Sequence, residues 1–325
     1  IFMMMLMTMM MLLTMMMMMM MMMTMIEMKN ELLIIKKIAY TRSPATAVVM
    51  LKIWRLAEMR VLVPTLCRAG WELYPPEFIL RGERDSLQLI ATWRDSERVA
   101  DGTRSARYVT DDPGIVSVSG DGKVRPRSNG VTSIRLGDSR VKITVTGIQS
   151  PDPVSFRHET LPVLSRLGCS AGSCHGSPHG KGNFRLSLRA FDPALDGLTL
   201  VREELGRRTN PIEPEKSLLL LKPTTAVTHE GGKKLDEESP EYALLRSWIA
   251  EGAALRKEEE SICTGIEIHP SEARVLHLPD ATQQFSVHAR FGDGTSRDVT
   301  HLAVFESSNT KVAEVSREGL VSGVE

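Results

Sequence analysis

Two cysteines and a histidine lie close together in the middle of the chain, in Gly168-Cys-Ser-Ala-Gly-Ser-Cys-His-Gly176. The usual pattern for covalent haem attachment is C-x-x-C-H, in which two thioethers hold the porphyrin and the histidine binds the iron. Here the gap between the cysteines is wider, but Cys174 still directly precedes His175. Small residues in the gap allow the longer loop to bulge. The pattern therefore predicts that Cys169, Cys174 and His175 bind haem c.

Three other interpretations of the two thiols stay open at this stage. Cys169 and Cys174 would also suit a disulfide across a small loop, a zinc site completed by a distant histidine, or two unreactive thiols. Only Cys67 and Cys263 remain besides them, which is too few for a disulfide scaffold in 325 residues. We interpret Cys67 and Cys263 as residues without a special role.

The residues around the motif predict helices. Apolar residues recur at helical spacing from Phe156 to Leu167, and Gly168 suits the end of that helix. Ser239-Pro240 is a typical helix start, and Gly252 ends the segment that follows. We therefore expect residues 150–256 to form a domain in which one helix leads into the cysteine loop and another closes the segment.

Two flanking regions, residues 76–148 and 264–325, instead show short alternating strands separated by turns, which is typical of a β-sandwich. They are an internal repeat, because residues 307–321 align without a gap on residues 110–124. Two shorter matches support it, namely Gln284 with Gln88 and Asp293-Gly-Thr295 with Asp101-Gly-Thr103. The alignment predicts that Val118 and Val315 occupy equivalent core positions.

The repeats resemble bacterial Ig-like domains of group 2. The resemblance is carried by the D-G-T turn and by S-N-x-x-V-A-x-V-x-x-x-G-x-V, which starts at Ser308. It implies two spacer or adhesive modules, the second truncated before its last strands, with possible contact to a cell surface or carbohydrate. The Asp and Asn residues of the motif are interpreted as turn formers.

The middle region resembles the planctomycete-type cytochrome c domain. The features that carry the resemblance are the helix ending at Gly168, the cysteine-histidine motif, and the segments 217–222, 231–235 and 245–253. The resemblance implies covalent haem c in a larger exported protein, periplasmic or at the cell surface. The resulting fold class is multidomain, with an all-α cytochrome c-like domain between two Ig-like sandwiches.

The same family places a methionine ligand just before the Gly231-Gly232 segment. No methionine follows Met59 here, and His229 stands about one position away. The resemblance therefore makes His229 the candidate metal ligand opposite His175, giving two histidines on the iron. His179 and His158 are the competing residues, and five-coordinate iron is the remaining alternative.

Composition and the start of the chain limit the other functions. The formal net charge is zero, which does not favour nucleic acid as a partner. Residues 1–25 carry no charge and are long enough to span a bilayer, but they lack the features of a signal peptide. We interpret this methionine-rich run as a mis-assigned start, and we expect residues 1–75 to be spurious or disordered.

The chain shows no nucleophile–base pair, phosphate loop or carboxylate dyad, so whether it is part of an enzyme stays open. The main hypothesis is electron transfer or redox sensing through covalent haem, with an unknown redox partner. The alternative is a non-haem interaction or adhesion module whose insert is closed by a disulfide or by zinc. A third possibility is the redox domain of a larger enzyme.

Overall fold

The computed structural model describes residues 69–96, 98–150, 152–255, 260–277 and 281–324. Residues 67–325 form one compact unit. The interpretation of the methionine-rich start falls outside the described residues. Among those described, no helix is long and apolar enough to cross a membrane. The described chain is mostly β-structure, with a few short helices.

The first repeat is a β-sandwich built from small sheets. Its strands are β1 (Gly70–Tyr74), β2 (Glu77–Arg81), β3 (Leu87–Gln88), β4 (Ile90–Arg94), β5 (Val99–Asp101), β6 (Val109–Thr110), β7 (Val116–Val118), β8 (Lys123–Pro126), β9 (Gly130–Leu136) and β10 (Ser139–Thr146). The strand orders are β1-β4-β5, β2-β10-β9-β6 and β3-β8-β7. In β10, Val141, Ile143 and Val145 are buried and alternate with more exposed residues, as the period of a strand requires.

The first strand corrects one expectation. Residues 1–75 were expected to be spurious or disordered, yet Gly70–Tyr74 pairs with β4 along its whole length. Leu73 is buried in the core, and the Trp71 ring meets the Trp93 ring edge-on at 5.3 Å between centroids. The first sandwich therefore begins at Gly70, ahead of the predicted boundary at residue 76.

The second repeat reproduces two sheets of the first. Its strands are β11 (Cys263–His269), β12 (Thr282–Gln284), β13 (Ser286–Phe291), β14 (Ser296–Asp298), β15 (Ala313–Val315) and β16 (Leu320–Gly323). The orders β11-β13-β14 and β12-β16-β15 correspond to β1-β4-β5 and β3-β8-β7. Val118 faces Val124, and Val315 faces Val321 in the same way. Val118 and Val315 thus hold equivalent positions, as predicted, although both are half-buried and not fully enclosed.

One predicted match between the repeats is wrong. The Thr103 hydroxyl accepts a hydrogen bond from the Ala91 amide at 3.0 Å, and the Thr300 hydroxyl accepts the equivalent bond from Val287 at 2.8 Å. Asp101-Gly-Thr103 therefore corresponds to Asp298-Val-Thr300. The Asp293-Gly-Thr295 segment lies in the β13–β14 turn, where the Asp293 carboxylate accepts the Thr295 amide at 2.8 Å. Asp293 is a turn former, as expected, but at a different place in the repeat.

The segment between the repeats contains short helices and turns. Its α-helices are α1 (Leu161–Arg166), α2 (Pro193–Gly197), α3 (Leu218–Leu221) and α4 (Pro240–Ala250). π-Helical turns span Phe156–Thr160 and Leu198–Arg202, and 3₁₀ turns span Leu188–Ala190, Glu203–Gly206 and Pro214–Lys216. The Ser239 hydroxyl caps α4 by accepting the Tyr242 amide at 3.2 Å, as the helix-start signal predicts.

The two ends of this segment pack against each other. Trp248 of α4 is fully buried and stacks on Phe156 with 5.4 Å between ring centroids. The indole N–H donates to the Ala254 carbonyl at 3.0 Å, so this polar group is satisfied. Leu302 of the second repeat joins the same core. The segment is therefore closed by its own ends and supported by the second sandwich.

Acid should destabilise this fold. Burial lowers the pKa of His288 and of His301 to about 4, and it raises the pKa of Asp298 to about 6. The histidines bind protons more readily when unfolded, so their contribution is complete above pH 6.5 and is lost as the pH falls towards 4. Asp298 acts in the opposite direction, because its protonated form is favoured in the folded chain.

Two histidines outweigh one carboxyl group, so the free energy of unfolding should fall by roughly 2–4 kcal/mol between pH 7 and pH 4. Urea titrations at both pH values measure this difference. Replacing His301 with Gln should make the free energy of unfolding less dependent on pH, because one of the two histidines that destabilise the fold when protonated is removed. A stability that rises on acidification would contradict the assignment.

Candidate haem-binding cleft

The cysteine-histidine loop starts where α1 ends. Gly168 adopts a φ of +80°, which favours glycine, and the Cys169 amide then donates to the Leu164 carbonyl at 2.9 Å. The loop folds back on itself, with the His175 amide donating to the Cys169 carbonyl at 3.1 Å. The Leu186 amide donates to the His175 carbonyl at 2.8 Å, which ties the loop to the following segment. The predicted end of the helix at Gly168 thus positions the motif.

Gly176 is required by this close packing. A Cβ atom there would lie 2.0 Å from the Ser170 carbonyl oxygen, far inside any real contact. We expect Gly176→Ala to open the loop and to lower the free energy of unfolding by about 2–3 kcal/mol. Gly172→Ala is the matched control in the same loop, since its nearest neighbour would be Leu188 at 3.9 Å. Urea titration of both variants measures the contrast; equal losses would show that Gly176 has no special role.

The four residues predicted to bind haem and iron line one cleft. Cys169, Cys174, His175 and His229 all contribute to its wall. The cleft has about 200 Å³ of space for water-sized molecules, and its lining exposes more apolar than polar surface. Ligand pockets usually hold about 300–1,000 Å³. A porphyrin would therefore need this cleft to widen or would leave an edge exposed.

The His175 ring is oriented by backbone carbonyls. Its Nδ1 lies 2.9 Å from the Phe184 carbonyl oxygen and 3.1 Å from that of Lys181. An Nδ1–H that donates there fixes the tautomer and leaves Nε2 with a free lone pair. Burial lowers the pKa of His175, and the nearby charge of His229 adds to this effect. At neutral pH the imidazole is therefore neutral, which is the form that binds a metal.

Cys169 lies in surroundings unlike those of a reactive cysteine. Cys169, Cys174 and Cys263 are free thiols, so the described chain contains no disulfide between the two loop cysteines. Burial raises the pKa of Cys169 to about 12, and the neighbouring Cys174 adds to the shift. Because the thiolate is the form that attacks disulfides, Cys169 is a poor nucleophile in this fold.

His229 lies on the loop before Gly231 and is held like His175. Its Nδ1 lies 2.8 Å from the Gly232 carbonyl oxygen, an arrangement that again leaves Nε2 available. Of its competitors, His179 is exposed and does not line the cleft. His158 lies elsewhere, with its Nδ1 3.4 Å from Glu260 and its ring edge-on to Phe291. Of the candidate distal ligands, only His229 shares the cleft with His175.

Positive side chains surround the cleft. Arg207, Arg208, Lys181 and Lys222 contribute to its lining. The Arg208 guanidinium stacks on the Phe184 ring at 4.7 Å and donates to the Thr199 carbonyl at 2.6 Å. Glutamates accompany three of these cations, since Lys181 pairs with Glu230, Arg207 with Glu204 and Arg208 with Glu203, so much of the positive charge at the cleft is balanced.

Two other arginines of the segment lie away from the cleft, and one residue that orients His175 was not predicted. One guanidinium nitrogen of Arg189 lies 2.8 and 2.9 Å from the two carboxylate oxygens of Glu306 in the second repeat. Arg185 does not line this cleft. Phe184 was not predicted, although its carbonyl orients His175 and its ring packs on the imidazole at 4.4 Å. Backbone acceptors leave no trace in residue type, so no sequence signal marks Phe184 for that role.

In the parts of the chain that the structure describes, no three His, Cys, Asp or Glu side chains are grouped so as to hold a metal ion. A structural zinc site needs four such ligands around one point. Cys169, Cys174, His175 and His229 line the cleft without being assembled in that way.

Comparison with known proteins bears on the second repeat. Residues 262–325, about a fifth of the chain, match the family of bacterial Ig-like domains (group 2). This confirms the resemblance stated for the S-N-x-x-V-A motif. Among curated proteins nothing matches the chain. Domains of this group are typically extracellular and occur in cell-surface or adhesion-type modules, so the match indicates such a module here.

Proposed function

We propose that the segment between the two Ig-like repeats binds haem c covalently and serves electron transfer or redox sensing in an exported protein. The observation that carries the proposal is the convergence of Cys169, Cys174, His175 and His229 on one apolar cleft. These residues were chosen from the sequence before their positions were known. A small cytochrome c-like domain within residues 150–256 is part of the same proposal.

Each residue has a role in this proposal. Haem would supply one-electron transfer at its iron. Cys169 and Cys174 would hold the porphyrin through two thioether bonds. His175 would bind the iron through Nε2, because Nδ1 is engaged by backbone carbonyls. His229 would bind opposite, and Arg207 would pair with a propionate.

The small cleft bears on when attachment takes place. The space beside Cys169 is smaller than a porphyrin pocket, so the loop would have to open before a porphyrin could enter. We expect attachment to precede folding, and the loop to close around the porphyrin afterwards.

The test is expression of the full chain, directed to the periplasm of a host with a haem-attachment system. Denaturing gels stained for haem peroxidase activity should show a band that a Cys174→Ser variant loses. Cys263→Ser is the matched control and should keep the band, because Cys263 is an exposed thiol of β11. A pyridine haemochrome spectrum should identify haem c. Bound zinc without haem would refute the proposal.

The second candidate function is adhesion or interaction without haem, and the Ig-like match at residues 262–325 favours it. In that case the repeats would display the cysteine loop as a purely structural insert. The export of the chain is common to both proposals, and the periplasm and the cell surface are equally compatible with it. Binding of the haem-free chain to whole cells or glycans, with no haem in the purified protein, would favour this candidate.

A further inference from the structure

The two Ig-like repeats contact each other through equivalent residues. The Gln88 amide of the first repeat donates to the Asp298 carboxylate of the second at 2.6 Å. The Gln284 amide of the second repeat donates to the Asp101 carboxylate of the first at 2.9 Å. Gln88 corresponds to Gln284 and Asp101 to Asp298, as the sheet orders and the Thr103 and Thr300 bonds establish. Each repeat thus supplies one backbone N–H donor and one carboxylate acceptor to the other.

Both glutamines are also fixed in the same way within their own repeats. The Gln88 side-chain amide donates to the Asp121 carbonyl at 2.7 Å, and that of Gln284 donates to the Glu318 carbonyl at 2.6 Å. Asp121 and Glu318 hold the same place in the β7–β8 and β15–β16 turns. The donor side of the contact is therefore built identically in the two repeats.

At the centre of the contact, one residue packs against the equivalent residue of the other repeat. Tyr74 ends β1 and His269 ends β11, and each precedes a proline. Their rings stack at 3.5 Å between centroids, with 10° between the planes. In a two-fold symmetric interface, only residues on the axis touch their equivalents. The Tyr74–His269 stack marks that axis.

We propose that the Ig-like repeat of this chain has a self-complementary surface whose partner is a second repeat of the same type. The two repeats then pair about a pseudo-twofold axis, although the inserted segment separates them in sequence. The recognition chemistry is a carboxylate accepting a backbone N–H in each direction. Asp298 and Gln284 are almost fully enclosed in the folded chain, and Asp101 is half-buried. A surface of this kind joins repeats that are far apart in sequence, so the insert does not have to hold them together.

The wild-type chain gives the first test. Ring protons of Tyr74 and His269 should show a nuclear Overhauser contact in the intact protein, since the rings are stacked. This measurement needs no substitution and so cannot be confounded by misfolding. Absence of the contact, with both rings assigned, would overturn the proposal.

Hydrogen exchange gives the second test through a crossed pattern. Asp298→Asn keeps an oxygen for the Thr300 amide but places an N–H group towards Gln88, so the Gln88 amide should exchange at least about tenfold faster. Asp101→Asn should accelerate Gln284 and leave Gln88 unchanged. Asp293→Asn is the matched control and should affect neither amide, because Asp293 bonds within its own turn.

Two outcomes of the exchange experiment would overturn the pairing. One is unchanged exchange at Gln88 in Asp298→Asn, and the other is equal acceleration in Asp293→Asn. If an asparagine variant unfolds globally, amides of β9 lose protection as well, and the Tyr74–His269 contact in the wild-type chain then decides.

Discussion

Replacing His229 with alanine is expected to convert the ferric holoprotein from low spin to a high-spin or water-bound form. Imidazole on both faces of the iron gives a strong ligand field, and alanine leaves one position open. Cyanide affinity should rise about tenfold or more, which corresponds to about 1.4 kcal/mol of lost competition by the His229 ring. Optical spectra of the ferric protein and a cyanide titration measure both effects.

His179→Ala is the matched control for this experiment. His179 is exposed and lies outside the cleft, so its removal should leave the spectrum unchanged. The wild-type protein should lack the near-infrared band of sulfur ligation, and its potential should lie below that of a His/Met protein of similar burial. A high-spin His179→Ala variant beside a low-spin His229→Ala variant would assign the distal ligand to His179.

Trp248→Ala is expected to lower the free energy of unfolding by about 3–5 kcal/mol, the usual range for a buried aromatic residue replaced by alanine. The indole is fully enclosed, stacks on Phe156 and satisfies the Ala254 carbonyl. Most domains have only about 5–15 kcal/mol of stability, so a loss of this size is a large share. Urea titration followed by near-ultraviolet circular dichroism measures it.

Arg246→Ala is the control on the same helix. Its guanidinium is exposed and pairs with Glu215, a contact of the kind that contributes about 0–1 kcal/mol. The loss in the free energy of unfolding for Trp248→Phe should lie between those of Trp248→Ala and Arg246→Ala, because an aromatic ring remains but the N–H bond to the Ala254 carbonyl is lost. Similar losses for Trp248→Ala and Arg246→Ala would mean that the ends of the helical segment do not close its core.

Sequence patterns predicted the strands and helices that have clear local signals. The Ser239 cap, the end of α1 at Gly168 and the alternation in β10 each depend on a few neighbouring residues. β1 was missed because Pro75-Pro76 follows it and interrupts the pattern. Its place in the sandwich depends on pairing with β4, which no local pattern reveals.

The spacing of cysteine and histidine residues made Cys169, Cys174, His175 and His229 candidates from the sequence. All four line one cleft, and their roles in binding haem stay a prediction. The equivalence of Asp298 with Asp101 was missed, because Val299 stands where Gly102 stands in the first repeat. The equivalence is defined by a threonine hydroxyl that accepts a hydrogen bond from a buried backbone N–H in each repeat. That bond is a tertiary contact, which a local sequence pattern does not reveal.

The bonds from Gln88 to Asp298 and from Gln284 to Asp101 also affect how the protein carries mechanical load. A pulling force applied across the two sandwiches passes through this direct contact, because it is a shorter path than the hundred or so residues between them. The helical segment touches the second sandwich through Leu302 and the Arg189–Glu306 pair, so it shares part of that force. As long as the contact between the repeats holds, the backbone of the segment is not the only path that carries tension from one sandwich to the other.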